Sequence, residues 1–320
     1  QNEEFFTGKA AKASSDVAYK PVVKIDQTTP VAKAYDVFSG GGNFTGHISK
    51  MIAGFQEKQI KVAEAIVKGG FKSFLDIGAS EGGLAKTVAS QNKNMKAIAL
   101  DPNSQMKDNF NSTPEVTNTR FVQEAYQGSW TEGDGTEIKE FKPSRRFDVV
   151  NEDFAFQFIN NGRDKQVKGV KNMMSKNGVF ITSEKFIETD NYDANEEKKY
   201  DHQRNYFNES ELTKDKQEIV TGMAEDMVND KDYEKTLNNN FKHVEEYWNS
   251  GNFKGYVASD NKAVLDKFIE DVGDLTTEFT DKDSPLLQRK EKSQKVGIGY
   301  FKSKPAANVR SGNAEFRKAV

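Results

Sequence analysis

The chain has 320 residues, of which 35% are hydrophobic and 30% charged, and its formal net charge is −3. This length corresponds to one large domain with extensions or to two domains, since a domain usually has about 100–200 residues. The charge excludes a wholly basic nucleic-acid coat. Because the chain has no Cys, disulfides, iron–sulfur clusters, thiolate zinc sites and Cys nucleophiles are excluded, and with three His a His-based metal site is not expected.

Two further features bear on origin and compartment. Lys outnumbers Arg 38 to 8, a bias that is typical of AT-rich bacterial or phage genomes. No stretch of about 18 apolar residues predicts a transmembrane helix, and no apolar signal-peptide segment is evident. We therefore expect a protein of the bacterial cytoplasm, or of a phage-infected cell, without membrane contact.

The first half of the chain alternates helical and strand-like segments. Residues 1–30 are polar, contain two prolines and lack sustained periodicity, so they predict an N-terminal arm. Apolar residues between Ile48 and Val67 have helical spacing, and Gly69-Gly70 predicts the end of that helix. Further helices are predicted at Leu84–Ser90 and Arg163–Lys176. The predicted strands are Phe71–Ile77, Met95–Asp101, Arg120–Gln123, Phe147–Asn151 and Val179–Phe186.

The second half begins with a polar, mostly helical insert at residues 195–240. The strands His243–Trp248 and Phe253–Ser259 then form a predicted hairpin, and a last helix is predicted over Asn261–Val272. Residues 273–320 are polar and Lys-rich, with no evident contribution to a core. Because strands alternate with helices, we predict an α/β domain with a mostly parallel sheet that helices cover on both faces.

A glycine-bearing turn, LDIGASEGG (Leu75–Gly83), follows the first predicted strand, and Asp101 ends the second strand. Ligands of open α/β sheets bind outside the carboxyl ends of the strands. Gly78 can adopt backbone angles forbidden to other residues and would admit a ligand close to the main chain. Asp101 is placed to accept hydrogen bonds from both hydroxyls of a ribose. The turn therefore predicts an adenosine-containing cofactor.

Two such cofactors compete for this turn. A dinucleotide requires a second glycine where this chain has Ser80, because its pyrophosphate approaches the backbone there. S-adenosylmethionine has no phosphate, and its methionine end tolerates a side chain at this position. Glu81 could meet its ammonium group. We therefore favour S-adenosylmethionine over a dinucleotide, and over a turn that holds no ligand.

The other candidate site residues follow the third, fourth and fifth strands. The side chain of Glu124 and the backbone N–H of Ala125 are predicted to read the adenine edge, and Asp153 is predicted to form the wall beside the methyl group. Glu184 and Lys185 are candidates near the acceptor, with a strand-end ion pair as the alternative role. The catalytic candidates are Asp153, Glu184 and Lys185; the cofactor-binding candidates are Gly78, Ala79, Ser80, Glu81, Gly82, Asp101, Glu124, Ala125 and Asp153.

Basic and aromatic side chains are interleaved at the start of the insert, a pattern that could grip an RNA loop by phosphate contacts and stacking. Because the net charge is negative, a solvated lid helix with one buried aromatic face is the favoured interpretation. The residues are Lys198, Lys199, Tyr200, His202, Arg204, Tyr206 and Phe207.

Together these motifs resemble the class I S-adenosylmethionine-dependent methyltransferases, from Val31 to about Asp260. The resemblance implies a Rossmann-like fold with a mostly parallel seven-stranded sheet over residues 31–272, a helical insert after the fifth strand, and extensions at residues 1–30 and 273–320. A narrower resemblance is to the bacterial tRNA uridine-5-oxyacetate methyltransferase family. It is carried by the runs DFAFQFI (Asp153–Ile159), GVFITSEKF (Gly178–Phe186) and SEL (Ser210–Leu212).

That family transfers a carboxymethyl group from carboxylated S-adenosylmethionine to a wobble uridine, and an arginine in its insert pairs with the extra carboxylate. The arginine position aligns with Glu218, whose carboxylate would repel that group. We therefore expect plain methyl transfer to an RNA or a small molecule. The alternatives are the family's carboxymethyl transfer and a non-catalytic interaction module of a phage or other assembly. The extensions are expected to contact a protein partner, and a homo-oligomer is a further hypothesis.

Overall fold

The computed structural model describes residues 19–21, 24–40, 44–159, 161–187, 189–208, 210, 212 and 227–279. Three helices precede the central strands: α1 (Pro30–Ser39), α2 (Phe44–Met51) and α3 (Phe55–Lys68). Helix α1 begins where the Thr29 side chain accepts a hydrogen bond from the Ala32 N–H, at 3.1 Å, with proline as its first residue. This helix was not predicted.

The single helix predicted over Ile48–Val67 is instead α2 and α3, which Gly54 separates. Gly54 has φ 77°, in the left-handed region that favours glycine. A Cβ on Gly54 would meet the Thr277 side chain, so the break also allows close packing. Apolar residues keep a helical spacing across this break because both helices bury an apolar face. The prediction of one continuous helix is wrong because the chain turns at Gly54.

Twelve strands lie within the described residues, and the remaining helices connect them. The strands are β1 (Tyr19–Pro21), β2 (Ser73–Ile77), β3 (Lys96–Leu100), β4 (Thr119–Val122), β5 (Trp130–Thr131), β6 (Glu137–Ile138), β7 (Phe147–Asp153), β8 (Met174–Ile187), β9 (Val228–Asn229), β10 (His243–Ser250), β11 (Phe253–Ser259) and β12 (Leu275–Phe279). The helices are α4 (Gly83–Gln91), α5 (Ser104–Ser112), a 3-10 turn (Phe156–Phe158), α6 (Arg163–Met173), α7 (Tyr192–Gln203), α8 (Asp230–Asn240) and α9 (Lys262–Val272).

The main sheet has the order β1-β12-β10-β11-β8-β7-β2-β3-β4. Strands β4, β3, β2, β7 and β8 are parallel neighbours, and β11 lies antiparallel between β8 and β10. The five predicted parallel strands and the predicted hairpin therefore form one continuous sheet. The Rossmann-like α/β fold class is confirmed.

Two strands extend the sheet beyond the seven that were predicted. β12 pairs in parallel with β10, and β1 pairs antiparallel with β12. The expectation that residues 273–320 add nothing to the core is wrong for its first residues, because Leu275 is 5% exposed and packs in the main apolar cluster. Residues 280–320, like residues 1–18, lie outside the described part of the chain.

Helix α6 ends three residues earlier than predicted. β8 begins at Met174 because this residue already pairs with Phe147 of β7. The predicted helical insert contains α7 and α8, and the segment between them is mostly outside the described residues, including Glu218.

Each central strand buries both faces, and alternate residues belong to different apolar clusters. Phe74, Val149 and Ile181 pack with α3, α4 and α9, on what we call the first face. Leu75 and Phe180 pack with α6 and α8 on the second face. This alternation decides which polar side chains meet at the carboxyl ends of the strands.

Gly82→Ala tests how tightly α4 packs on the sheet. Gly82 has φ 72°, and a Cβ there would lie 2.6 Å from the Phe110 ring and 2.9 Å from the Ala99 Cβ. Gly70 has a similar φ of 66° with no atom within 4 Å of that position. We expect Gly70→Ala to cost about 1–2 kcal/mol of unfolding free energy from backbone strain. Gly82→Ala should cost about 1–3 kcal/mol more from overpacking. Equal losses in denaturant unfolding would contradict this packing.

Candidate cofactor and acceptor site

The glycine turn joins the carboxyl end of β2 to α4 and is fastened to the neighbouring strand. The N–H groups of Gly78 and Ala79 both donate to the Leu100 carbonyl, at 2.9 and 3.1 Å. Gly78, Ser80 and Gly82 all have positive φ, of 67°, 50° and 72°. Ser80 thus adopts a left-handed conformation that is uncommon for a residue with a Cβ.

The space in front of Gly78 is taken by protein. A Cβ on Gly78 would meet the Ala155 methyl group, so the loop after β7 makes the close approach that we had assigned to a ligand. Gly82 and Gly83 likewise admit neighbouring side chains, from Phe110 and Ser39. Packing alone therefore accounts for these three glycines, and the case for a ligand depends on the polar groups around the turn.

Asp101 lies at the carboxyl end of β3, beside the turn, as predicted. Its Oδ2 accepts from the Ser80 N–H and its Oδ1 from the Asn103 N–H, each at 3.0 Å. Burial raises the pKa of Asp101 to about 7, although both hydrogen bonds oppose the rise. Each carboxylate oxygen accepts one hydrogen bond here and keeps a second lone pair, so the side chain can accept from a further pair of hydroxyls.

Glu81 is 1% exposed and faces α2. Its Oε1 accepts from the Thr45 N–H at 2.9 Å, and burial raises its pKa. Its Oε2 is buried without a hydrogen-bond partner among the described residues. A buried acceptor without a donor is costly, so this oxygen is suited to a donor that a ligand supplies.

A stripe of polar residues crosses the first face at the carboxyl ends of β2 and β7. The Asn151 amide donates to Asp76 Oδ1 at 2.7 Å and to Asp153 Oδ2 at 3.1 Å. The Lys58 ammonium of α3 pairs with Asp153, and Gln59 donates to the same carboxylate at 3.2 Å. Lys58 is fully buried, and burial lowers its pKa while Asp153 raises it. The side-chain oxygens of Gln59 and Asn151 have no donor among the described residues.

Of this stripe only Asp153 was predicted as a site residue, and the charged members that were not predicted are Lys58 and Asp76. Asp76 interrupts an otherwise apolar strand, and burial raises its pKa to about 8. Lys58 follows Phe55 at helical spacing and so lies on the apolar face of α3. In the sequence, each is a charged residue at a position where the helical or strand pattern predicts an apolar one. That mismatch could have identified both residues.

The Ala125 backbone, predicted to read the adenine edge, is hydrogen-bonded within the protein. Its N–H donates to the Lys139 carbonyl at 2.9 Å, and its carbonyl accepts from the Phe141 N–H at 2.7 Å. Both the N–H and the carbonyl of Ala125 are therefore hydrogen-bonded to the segment that follows the β5–β6 hairpin. The Glu124 side chain is partly exposed beside it and remains a predicted cofactor residue.

Glu184 and Lys185 lie on opposite faces of β8 and do not pair with each other. Glu184, on the second face, pairs with Arg163 of α6 at 3.1 Å, and burial raises its pKa to about 7. Lys185, on the first face, pairs with Glu196 of α7 at 3.3 Å. Only Lys185 therefore shares a face with Asp153, and Glu184 is placed away from the stripe.

Lys199 of α7 and Arg204, which follows the helix, are both held by carboxylates of α7. Lys199 pairs with Glu196 at 2.6 Å and Arg204 with Asp201 at 2.9 Å. His202 is buried, which lowers its pKa to about 4, whereas Tyr206 is 44% exposed. RNA binding by this helix stays a prediction.

The described residues contain neither a metal-binding cluster nor a membrane-spanning helix. Within them, no group of three or more His, Asp or Glu side chains could hold a metal ion. None of the helices in that part of the chain is long and apolar enough to cross a membrane.

The fold of the chain is similar to those of several solved structures. No family model and no curated protein matches the chain. Human N-acetylserotonin methyltransferase in complex with S-adenosylmethionine is 11% identical, with a TM-score of 0.41, and the match covers 65% of this chain and 53% of that one. The chain thus spans about half the length of that enzyme.

Two further similar structures are also methyltransferases. The plantazolicin methyltransferase, in complex with a substrate analogue and SAH, is 10% identical with a TM-score of 0.46, and the match covers 64% of this chain and 86% of that one. An O-methyltransferase family protein from Burkholderia thailandensis is 9% identical with a TM-score of 0.41, and the match covers 64% and 55% of the two chains.

The buried carboxyls predict that stability falls as pH rises. The pKa values of Asp76, Asp101 and Glu184 are raised to about 8, 7 and 7, against about 4 in an unfolded chain. The folded state therefore keeps protons that the unfolded state has lost. The stabilisation is complete below pH 4 and is lost as pH rises through 7 to 8.

We expect the unfolding free energy to fall between about pH 5 and 8 in denaturant titrations. Asp76→Asn removes one such proton site while keeping an oxygen for the Asn151 amide. The fall between about pH 5 and 8 should therefore become less steep by up to about 1.4 kcal/mol per pH unit. Asp164→Asn, at an exposed position of α6, is the control and should keep the wild-type slope. A variant at Asp76 with that same slope would refute the assignment.

Proposed function

We propose that the chain binds S-adenosylmethionine at the carboxyl ends of β2, β3 and β7 and transfers its methyl group to an acceptor. The observation that carries this proposal is a group of buried acceptors without donors. They are Glu81 Oε2, Gln59 Oε1 and Asn151 Oδ1, and the Asp101 carboxylate lies in the same region. The ligand that such a site suits is rich in hydrogen-bond donors and carries positive charge.

S-adenosylmethionine fits this requirement, because it has two ribose hydroxyls, an ammonium group and a sulfonium. A dinucleotide does not, since its pyrophosphate would face the carboxylates of Asp101, Glu81 and Asp153. Lys58, the lysine of the stripe, is already paired with Asp153. The charge of the site thus supports the choice that Ser80 suggested, and the known complexes of similar folds with S-adenosylmethionine agree with it.

In this proposal each residue has a limited role. Asp101 accepts from the ribose, and Glu81 accepts from the ammonium. When bound, the cofactor supplies an electrophilic methyl group, and the protein has to hold the acceptor's nucleophile about 3–3.5 Å from it. Asp153 is neutralised by Lys58, so it serves as a polar wall and not as a base.

Glu152 determines the shape of the loop beside that wall. On the second face, its Oε1 accepts from the N–H groups of Ala155 and Phe156 at 2.7 and 3.0 Å. The carboxylate thereby fixes the loop that presses Ala155 against Gly78. Glu152 is a positioning residue, because it acts on the loop and not on a ligand.

Asp101→Asn tests the cofactor site. Losing a charge-assisted pair of hydrogen bonds should cost about 1.5–3 kcal/mol of affinity, or about 10–150-fold. Calorimetry with S-adenosylmethionine, S-adenosylhomocysteine and NAD measures this effect. Both sulfur nucleosides should bind the wild type, and NAD should not.

Asp108→Asn, at an exposed position of α5, is the matched control and should retain wild-type affinity. If neither sulfur nucleoside binds the wild type, the methyltransferase proposal fails. A non-catalytic interaction module would then be the better account. Unchanged affinity in Asp101→Asn would remove Asp101 from the site.

We further infer that the plain cofactor is preferred over the carboxylated one. An extra carboxylate near Asp101, Glu81 and Asp153 would add a third or fourth negative charge to a buried region, which is expensive without a cation. In competition binding, we expect plain S-adenosylmethionine to bind at least as tightly. A preference of more than about tenfold for the carboxylated form would restore carboxymethyl transfer to a tRNA wobble uridine.

A further inference from the structure

Two lysines on the first face converge on one carboxylate oxygen. Lys185 of β8 and Lys199 of α7 place their ammonium groups 3.3 and 2.6 Å from Glu196 Oε2. The other oxygen, Oε1, accepts from the Asn252 amide at 2.9 Å. The three charged side chains are only 7%, 12% and 9% exposed, respectively. This Lys185–Glu196–Lys199 cluster is therefore built into the interior.

When both lysines are protonated, the cluster holds two positive charges and one negative charge. Within the described part of the chain, the ion pairs of both lysines go to Glu196 alone. Burial and the neighbouring Lys185 lower the pKa of Lys199 to about 7. Burial would raise the pKa of Glu196, but the two lysines outweigh it and hold that pKa at about 2. Burial and the Glu196 carboxylate raise the pKa values of the neighbouring Tyr192 and Tyr200. One further anion would balance the cluster.

The cluster adjoins the proposed reaction site. Ser183 is the register partner of Asp153, and Lys185 follows it by two residues on the same face. Neighbouring strands lie about 4.8 Å apart, and two residues advance a strand by about 6.6 Å. Lys185 is thus within the length of a small molecule, or of one nucleotide, from the wall that Asp153 forms.

We propose that Lys185 and Lys199 bind an anionic group, a carboxylate or a phosphate, on the methyl acceptor. The identity of the ligand as an acceptor depends on the proposed methyltransferase function, whereas the anion site itself does not. Binding would add the missing negative charge and stabilise the protonated form of Lys199. Anion binding is therefore coupled to uptake of a proton near neutral pH.

Competitive amine labelling of the full chain, followed by mass spectrometry, tests the site. Sodium acetate and inorganic phosphate serve as probes at constant ionic strength. We expect a saturating probe to raise the pH of half-maximal labelling at Lys199 by about one unit, which means tenfold tighter binding to the protonated form. Lys165, exposed on α6, should show no such shift. If neither probe shifts the labelling of Lys199, the proposal is overturned.

Lys199→Met provides a second measurement, because it leaves a balanced Lys185–Glu196 pair and should fold. Phosphate affinity, measured by calorimetry, should fall at least tenfold in this variant. Lys165→Met is the matched control and should bind as the wild type does. Equal phosphate binding by both variants would also overturn the proposal.

The anionic group could come from the acceptor or from a carboxylated cofactor, and a ternary experiment separates these sources. Phosphate should still shift Lys199 labelling when plain S-adenosylmethionine is bound. If carboxylated S-adenosylmethionine abolishes the shift and the plain form does not, the site belongs to the cofactor, and the assignment to the acceptor is wrong. If no sulfur nucleoside binds but phosphate does, the methyltransferase function fails while the anion site stands.

Discussion

The buried ion pair between Lys58 and Asp153 is the contact on which the carboxyl edge of the sheet depends. Asp153 ends β7 next to two other carboxyl groups, Asp76 and Glu152, and like charges this close oppose one another. The Lys58 ammonium reaches it from α3 and lies over the Phe55 and Trp248 rings, 5.3 and 5.6 Å from their centroids. One cation thus joins α3, β7 and β10 at the point where the polar stripe begins.

The sheet separates the acidic residues of this edge into two sets, one on each face. On the second face, Glu152 accepts from Thr182 at 2.6 Å, and Thr182 in turn contacts the Tyr233 hydroxyl at 2.6 Å. On the first face, the carboxylates meet amides and lysines. The second-face set fixes the loop after β7 through Glu152. The first-face set includes the side-chain oxygens of Gln59 and Asn151, which have no donor among the described residues. One set fixes the loop, and the other contains the acceptors on which the proposed binding site depends.

Much of the fold follows from local patterns, because each central strand is a short apolar run that both faces bury. The same property hid part of the site, because Asp76 and Lys58 lie inside apolar patterns. Only the three-dimensional structure shows that Lys58 pairs with Asp153 and that the Asn151 amide donates to Asp76. The period of two along a strand already implied that Glu184 and Lys185 face opposite ways. In contrast, the contact of Ala155 with Gly78 and the bond from Ala125 to Lys139 connect distant segments, and no local pattern encodes them.

The pairing of β1 with β12 places residues 19–21 beside residues 277–279. About 260 residues separate these two strands, so closing this contact carries the loop-entropy cost of nearly the whole described chain. During synthesis β1 leaves the ribosome first and has no partner until β12 follows it. The sheet can therefore assemble from its centre outward, from β2, β3 and β7 to the edge. Until β12 pairs with it, β10 presents an unpaired strand edge to other chains.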